Sequence, residues 1–194
     1  MIPQTPPGSA TDDARTIALQ MLQERGRGAV LVDAALERLL KAGLLPAPGS
    51  TDTFLQPDRP LGSFGARISL AARLGLIEAP VEQALKTLRR VRNSFAHSTT
   101  TATLTDPGHA ERLLQTYAAA QTNSLWQPLE RILQEKVGAD ATPLDSSLRD
   151  YILLITILVA FLEAAAQQLR PQPPAVVMGF GGIRSPRLEP DERA

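Results

Sequence analysis

Few side chains in this sequence can do chemistry, and what is missing narrows the field first. With no cysteine among 194 residues, disulfides, thiolate zinc sites, iron–sulfur clusters and cysteine nucleophiles are excluded. Two histidines, His97 and His109, leave little material for a metal site, and neither metal nor cofactor is expected. No Gly-x-Ser-x-Gly elbow or His-Glu-x-x-His zinc helix occurs, and Gly179-Phe180-Gly181-Gly182 lacks the Lys-Ser/Thr of a phosphate loop. Glu163 is a lone acid amid Ala and Leu, suited to facing water or pairing with an arginine. Arg92 is different. Val81, Ala84, Leu85, Leu88, Val91 and Phe95 recur at helical spacing as one apolar stripe, and Arg92 lies within it. A guanidinium there needs an acidic partner or an interface, and Asp33 and Glu37 are both candidates. Lys86, Arg89, Arg90, Asn93 and His97 gather on the other side, where plain amphipathicity accounts for them. Five residues turn a helix through about 500°, or about 140° net, so Arg92 and His97 converge only if the helix breaks near Ala96 or two copies meet.

Helices must hold these residues. Ala, Leu, Arg, Glu and Gln dominate between the chain ends, and alternating β-branched or aromatic runs are absent. That composition predicts an all-α fold, a single helical bundle of about six or seven helices. Thr11, with Asp12 and Asp13, caps a first helix reaching about Arg25 and carrying Ile17, Met21 and Leu22. Gly26-Arg27-Gly28 bends or breaks the chain before Ala29 to Leu40, which closes with Lys41 and Gly43. Leu44 to Arg59 reads as a loop. Ser63 caps a short helix over Ala66 to Leu74, Gly75 ends it, and Pro80 occupies the first turn of the next, about Pro80 to Ala96. A helix from Asp106 with Pro107 in its first turn is anchored by Leu113, Leu114, Tyr117 and Trp126, and Pro128 demands a kink or restart. Leu129 to Val137 then ends at Gly138. Asp145 or Ser146 caps the last helix, Leu148 to Leu169, which is apolar on nearly every side up to Phe161 and should be central.

The length predicts one domain with tails, at about 150 residues per domain. Eight of the sixteen prolines fall in residues 1–10 and 171–194, so these read as disordered tails on a helical domain over 11–170. The Pro-rich, uncharged start lacks the basic and apolar regions of a secretory signal, which predicts a cytoplasmic protein. Tyr151 to Leu162 falls short of the roughly twenty apolar residues a membrane crossing needs, so no membrane partner is expected. Twenty Lys and Arg oppose twenty Asp and Glu, so any attraction to nucleic acid must be regional. Arg59 to His97 holds seven Lys or Arg against Glu78 and Glu82, a local formal charge of +5. Arg67 and Arg73 join Lys86, Arg89 and Arg90 there as candidate binding residues for RNA phosphates or an acidic protein surface. The nearby aromatics, Phe64 and Phe95, are expected in the core rather than stacked on bases, which leaves nucleic acid only charge to hold it by.

Order and spacing carry a further signal. Arg59-Pro60-Leu61-Gly62-Ser63-Phe64-Gly65-Ala66-Arg67-Ile68, then Leu74-Gly75-Leu76-Ile77, then Leu88-Arg89-Arg90-Val91-Arg92-Asn93-Ser94-Phe95-Ala96-His97 resembles the mannitol operon repressor family over about residues 26–98. Asp145-Ser146-Ser147-Leu148, opening an apolar helix, is similar to that family's C-terminal helix. The resemblance implies an all-helical bacterial transcriptional regulator, a repressor of sugar-alcohol uptake genes, with no recognised DNA-binding motif. The nearest approach to a helix-turn-helix here is the pair around Gly75, whose second helix opens on Pro80 and Glu82 and presents acid first. Protein–protein association, with a homodimer or another protein as partner, is therefore the expected mode.

Arg92-Asn93-Ser94-Phe95-Ala96-His97 also resembles the HEPN superfamily, in which an Arg, four to six residues and a His form a ribonuclease site at a dimer interface. That resemblance implies His97 as general acid or base on a 2′-hydroxyl, Arg92 stabilising the negative phosphorane and Asn93 positioning substrate, without metal. The leading expectation is a non-enzymatic regulator. The alternative is a metal-independent endoribonuclease or RNA-binding protein of a toxin–antitoxin or defence system.

Overall fold

Helix signals in the sequence become six helices in the structure, a computed structural model that describes residues 28–46, 53–97, 104, 107–138, 145–171 and 176–184. They are α1 (Gly28–Gly43), α2 (Phe64–Arg73), α3 (Ala79–His97), α4 (Pro107–Ala120), α5 (Trp126–Gly138) and α6 (Ser146–Gln168). The described chain is thus an all-α bundle, as composition predicts. The helix expected over Thr11 to Arg25 and the tail 1–10 lie outside the described residues.

Helix α6 is the axis of the bundle. Every residue from Ile152 to Ala160 is buried, and Leu162 after them, so this helix is covered on all sides over more than two turns. Helix α1 lies along it in the same direction. A Cβ on Gly28 would stand 3.0 Å from Ile155 Cγ1, Arg38 pairs with Glu163, and a Cβ on Gly43 would stand 2.8 Å from Leu169 Cδ2. The contacts advance together along both helices. Glu163 thereby finds the arginine partner its apolar surroundings called for. Around this pair, Leu36, Leu39, Leu40, Ile68, Leu85, Leu88, Leu113, Leu129 and Leu133 are fully buried, each stabilising the fold by about 1.5–3 kcal/mol relative to an exposed position.

Local chemistry sets the helix ends. Ser63 is the N-cap of α2, its Oγ accepting from Ala66 N–H at 3.2 Å. At the other end Gly75 takes φ +68°, its N–H donates to Ala72 O, and Leu76 N–H donates to Ala71 O, each at 3.0 Å. This paired closure satisfies the last carbonyls and turns the chain into α3. Pro80 lies in the first turn of α3, where a missing N–H costs nothing.

Several boundaries and placements differ from expectation. The helix begun at Pro107 stops at Ala120, and a new one starts at Trp126, two residues before Pro128. Asn123 causes the restart: its Oδ1 accepts from Leu125 N–H at 2.9 Å and its carbonyl from Trp126 N–H at 3.1 Å, leaving Pro128 harmlessly in the first turn. Leu113, Tyr117 and Trp126 are buried anchors, but Leu114, one position around the helix, is exposed. Asp145 occupies the N-cap of α6 without a capping side-chain bond. Phe64 is buried as expected, whereas Phe95 is exposed, because the last turns of α3 run past the core.

The stretch read as a C-terminal tail contains an antiparallel hairpin, β1 (Val177–Gly179) and β2 (Gly182–Arg184). Phe180-Gly181 forms its two-residue turn, and Gly182, at φ +112°, supplies backbone that a side chain would strain. No helix among the described residues is long and apolar enough to cross a membrane.

Candidate functional site

Arg67 and Arg92, both singled out in the sequence, meet at one joint. Asp33 projects from α1 between two arginines: Arg67 of α2 donates through Nη1 to Asp33 Oδ1 at 2.7 Å, and Arg92 of α3 through Nη1 to Asp33 Oδ2 at 3.3 Å. Arg67 Nη2 also donates to Leu55 O at 2.7 Å and lies 2.9 Å from Glu37 Oε2, while Lys41 Nζ is 2.7 Å from Glu37 Oε1. Lys41, Glu37, Arg67, Asp33 and Arg92 thus form one chain of alternating charge across three helices. The loop glycine belongs to the same device. A Cβ on Gly62 would meet Gln56 O at 2.0 Å, so only glycine lets the loop fold tightly enough to bring Leu55 O onto Arg67.

Of the two acids that the sequence left open for Arg92, the structure gives it Asp33, but sequence reasoning misjudged which arginine is buried. Arg67, read as part of the basic binding set, is 6% exposed and its guanidinium is committed inside the fold. Arg92 keeps a side-chain exposure of 43%. The cause is tertiary: α1 and the 53–62 loop close over α2, and nothing local to Arg67 announces that. The rest of the basic set is divided. Lys86 is bound to Glu82 at 2.6 Å, and Arg89 lays its guanidinium against Gly65, where a Cβ would come within 2.7 Å of Cζ. Arg73 and Arg90 are exposed. Of the residues implied as catalytic, Arg92 and Asn93 lie together on α3 with Asn93 exposed, and His97 ends the helix, its side chain lying outside what the structure describes.

Two polar clusters had no sequence signal because each depends on how different helices meet. His109 Nε2 lies 3.0 Å from Ser94 Oγ, its ring 6.1 Å from that of Phe95, and its Nδ1 is buried with no partner among the described residues. A serine and a histidine in contact suggest a nucleophile and its base, but no described acid orients the ring. At the junction of α4, α5 and α6, Arg149 is 3.1 Å from Glu130 and 2.8 Å from Asp150, and the hydrogen bond to Asp150 holds its pKa up. Beside it burial pushes the Tyr151 phenol up to about 12. Burial also raises Tyr117, whose hydroxyl has no partner among the described residues. Among the described residues no group of acids and histidines could hold a metal ion.

A third feature is a groove of about 640 Å³ where the start of α3, the end of α4 and the C-terminal half of α6 meet, open to solvent along one side. Leu39, Val81, Ala120, Ile157 and Phe161 make its walls apolar, and Glu78, Thr122 and Asn123 supply its polar rim. Phe161 is 47% exposed. Comparisons with models of protein families, with curated proteins and with solved structures find no match.

Proposed function

We propose that this protein is a helical regulator of the mannitol-operon-repressor kind, acting through protein association rather than by reading DNA. The observation that carries the reading is the position of the first turns of α3. In a helix-turn-helix arrangement around Gly75 these turns would enter the major groove. Here Ile77, Pro80, Val81 and Ala84 line the apolar groove instead, with Glu78 at its rim. Apolar walls offer phosphate no partner and a carboxylate repels it, whereas both suit a protein surface. The motif residues Gly62, Arg67 and Arg92 then serve to hold α1, α2 and α3 in the arrangement that forms it.

The test is made in a host encoding this protein. Deleting the gene should raise sugar-alcohol uptake transcripts, and the purified protein should leave the corresponding operator DNA unshifted in a gel at physiological salt. Unchanged transcripts would overturn the regulator reading, and a sequence-specific shift would overturn association as its mode.

One observation favours a second reading. Arg92 retains exposure beside the exposed Asn93, an arrangement that could meet RNA across a dimer. A ribonuclease would cut single-stranded RNA in excess chelator and lose that activity on His97→Ala without a change in melting temperature. The regulator reading expects no cleavage by either protein.

A further inference from the structure

Among the described residues two apolar surfaces of this chain stand uncovered, and each carries one charge of opposite sign to the other. The first is the hairpin. Its register sets Met178 opposite Ile183, so both side chains share one face of the ribbon, and Val176, two residues before Met178, belongs to that face as well. Met178 is 84% and Ile183 76% exposed, and Phe180 at the turn is fully exposed. An isolated two-stranded hairpin is at best marginally stable in water, so this one needs a surface to lie on. The second surface is the groove, whose lip carries Phe161. Arg184 is the one charged residue between 176 and 184, and register places it at the open end of the ribbon. Among the described residues Glu78 is the one charged residue lining the groove, and it pairs with no described cation.

We propose that the hairpin of one copy seats in the groove of a second copy, and the second hairpin in the first groove, giving a two-fold dimer. The chain's own groove is the poorer fit. It is lined by Phe161 and Ala165 of the helix that leads to the hairpin, so occupying it requires the chain to double back between Gln168 and Val176. Pro171, Pro173 and Pro174 fall in that interval, and prolines in general stiffen a chain against a reversal. Exchange requires no reversal. It also buries each surface twice, moving the contact toward the ~1,200–2,000 Å² of stable interfaces. The proposal names the partner within the association reading and rests on it, yet the two fail separately: a monomer would end the dimer while the transcript measurement still decides the regulator.

Sedimentation equilibrium of the full chain tests it. Wild type should be a dimer at micromolar concentration. Met178→Asp combined with Phe180→Asp, and separately Phe161→Asp, should each raise the dimer dissociation constant about tenfold or more, with the helical circular dichroism unchanged because all three side chains lie outside the core. Mixing the hairpin variant with the groove variant should restore a mixed dimer, since one intact hairpin still meets one intact groove. A monomeric wild type overturns the proposal. So does a Phe161→Asp protein that dimerises like wild type while the hairpin variant does not, which would mean that hairpins pair edge to edge.

Discussion

Asp33 has two guanidiniums to satisfy and two oxygens to do it with, and the arginines are not equivalent. Arg67 is enclosed, so removing it leaves Asp33 and Glu37 short of a partner in a poorly solvated site. Arg67→Ala should cost about 3–5 kcal/mol, and Arg92→Ala, an exposed single contact, at most about 1 kcal/mol. Urea denaturation of the two variants checks the order, and equal losses would show that Arg92 supports the joint as much as Arg67. The phenols make a second prediction. Tyr117 and Tyr151 are the two tyrosines of the sequence, and burial keeps both protonated beyond the ordinary value of 10.0, Tyr151 to about 12. Because the unfolded chain loses these protons first, the stability they contribute is complete below pH 10 and is lost as pH rises through the folded values. The melting temperature should therefore fall above about pH 10, with tyrosinate absorbance appearing together with loss of helix. Absorbance that rises at pH 10 while the helices stay intact would place the phenols in water.

At the scale of elements, α6 carries the heaviest demand, since a run of buried residues leaves no polar face on which to place a charge. Leu154→Asp should abolish folding, because Leu154 is fully enclosed and an unpaired carboxylate there has nothing to bind. A soluble variant with full helical circular dichroism would make α6 peripheral. The same helix shows what a sequence can disclose. Its long apolar run, like the Ser63 cap and the Gly75 stop, is a local signal, and local signals predicted these elements. Phe95 misled because its stripe is continuous while the bundle beneath it is not. The break after Ala120 escaped because it depends on one side-chain bond of Asn123 rather than on the conspicuous Pro128. The hairpin, with strands of three residues among glycines and prolines, is too short for alternation to register. At the joint, helical geometry identified Arg92 as needing an acid, whereas burial of Arg67 arises from a loop and a helix distant in sequence.

Viewed whole, the molecule joins its first described helix to its last, side by side and in the same sense, with Arg38 bound to a residue 125 positions later. A parallel pair cannot be closed by a short turn, so everything between α1 and α6 acts as the connection. The consequence concerns synthesis. A ribosome delivers α1 well before α6, and until α6 emerges Val32, Leu36 and Leu39 have no central helix to bury against. The growing chain must therefore carry exposed apolar residues until α6 emerges and form its core only then. That places its period of greatest aggregation risk, and of greatest need for a chaperone, on the nascent chain rather than on the finished protein.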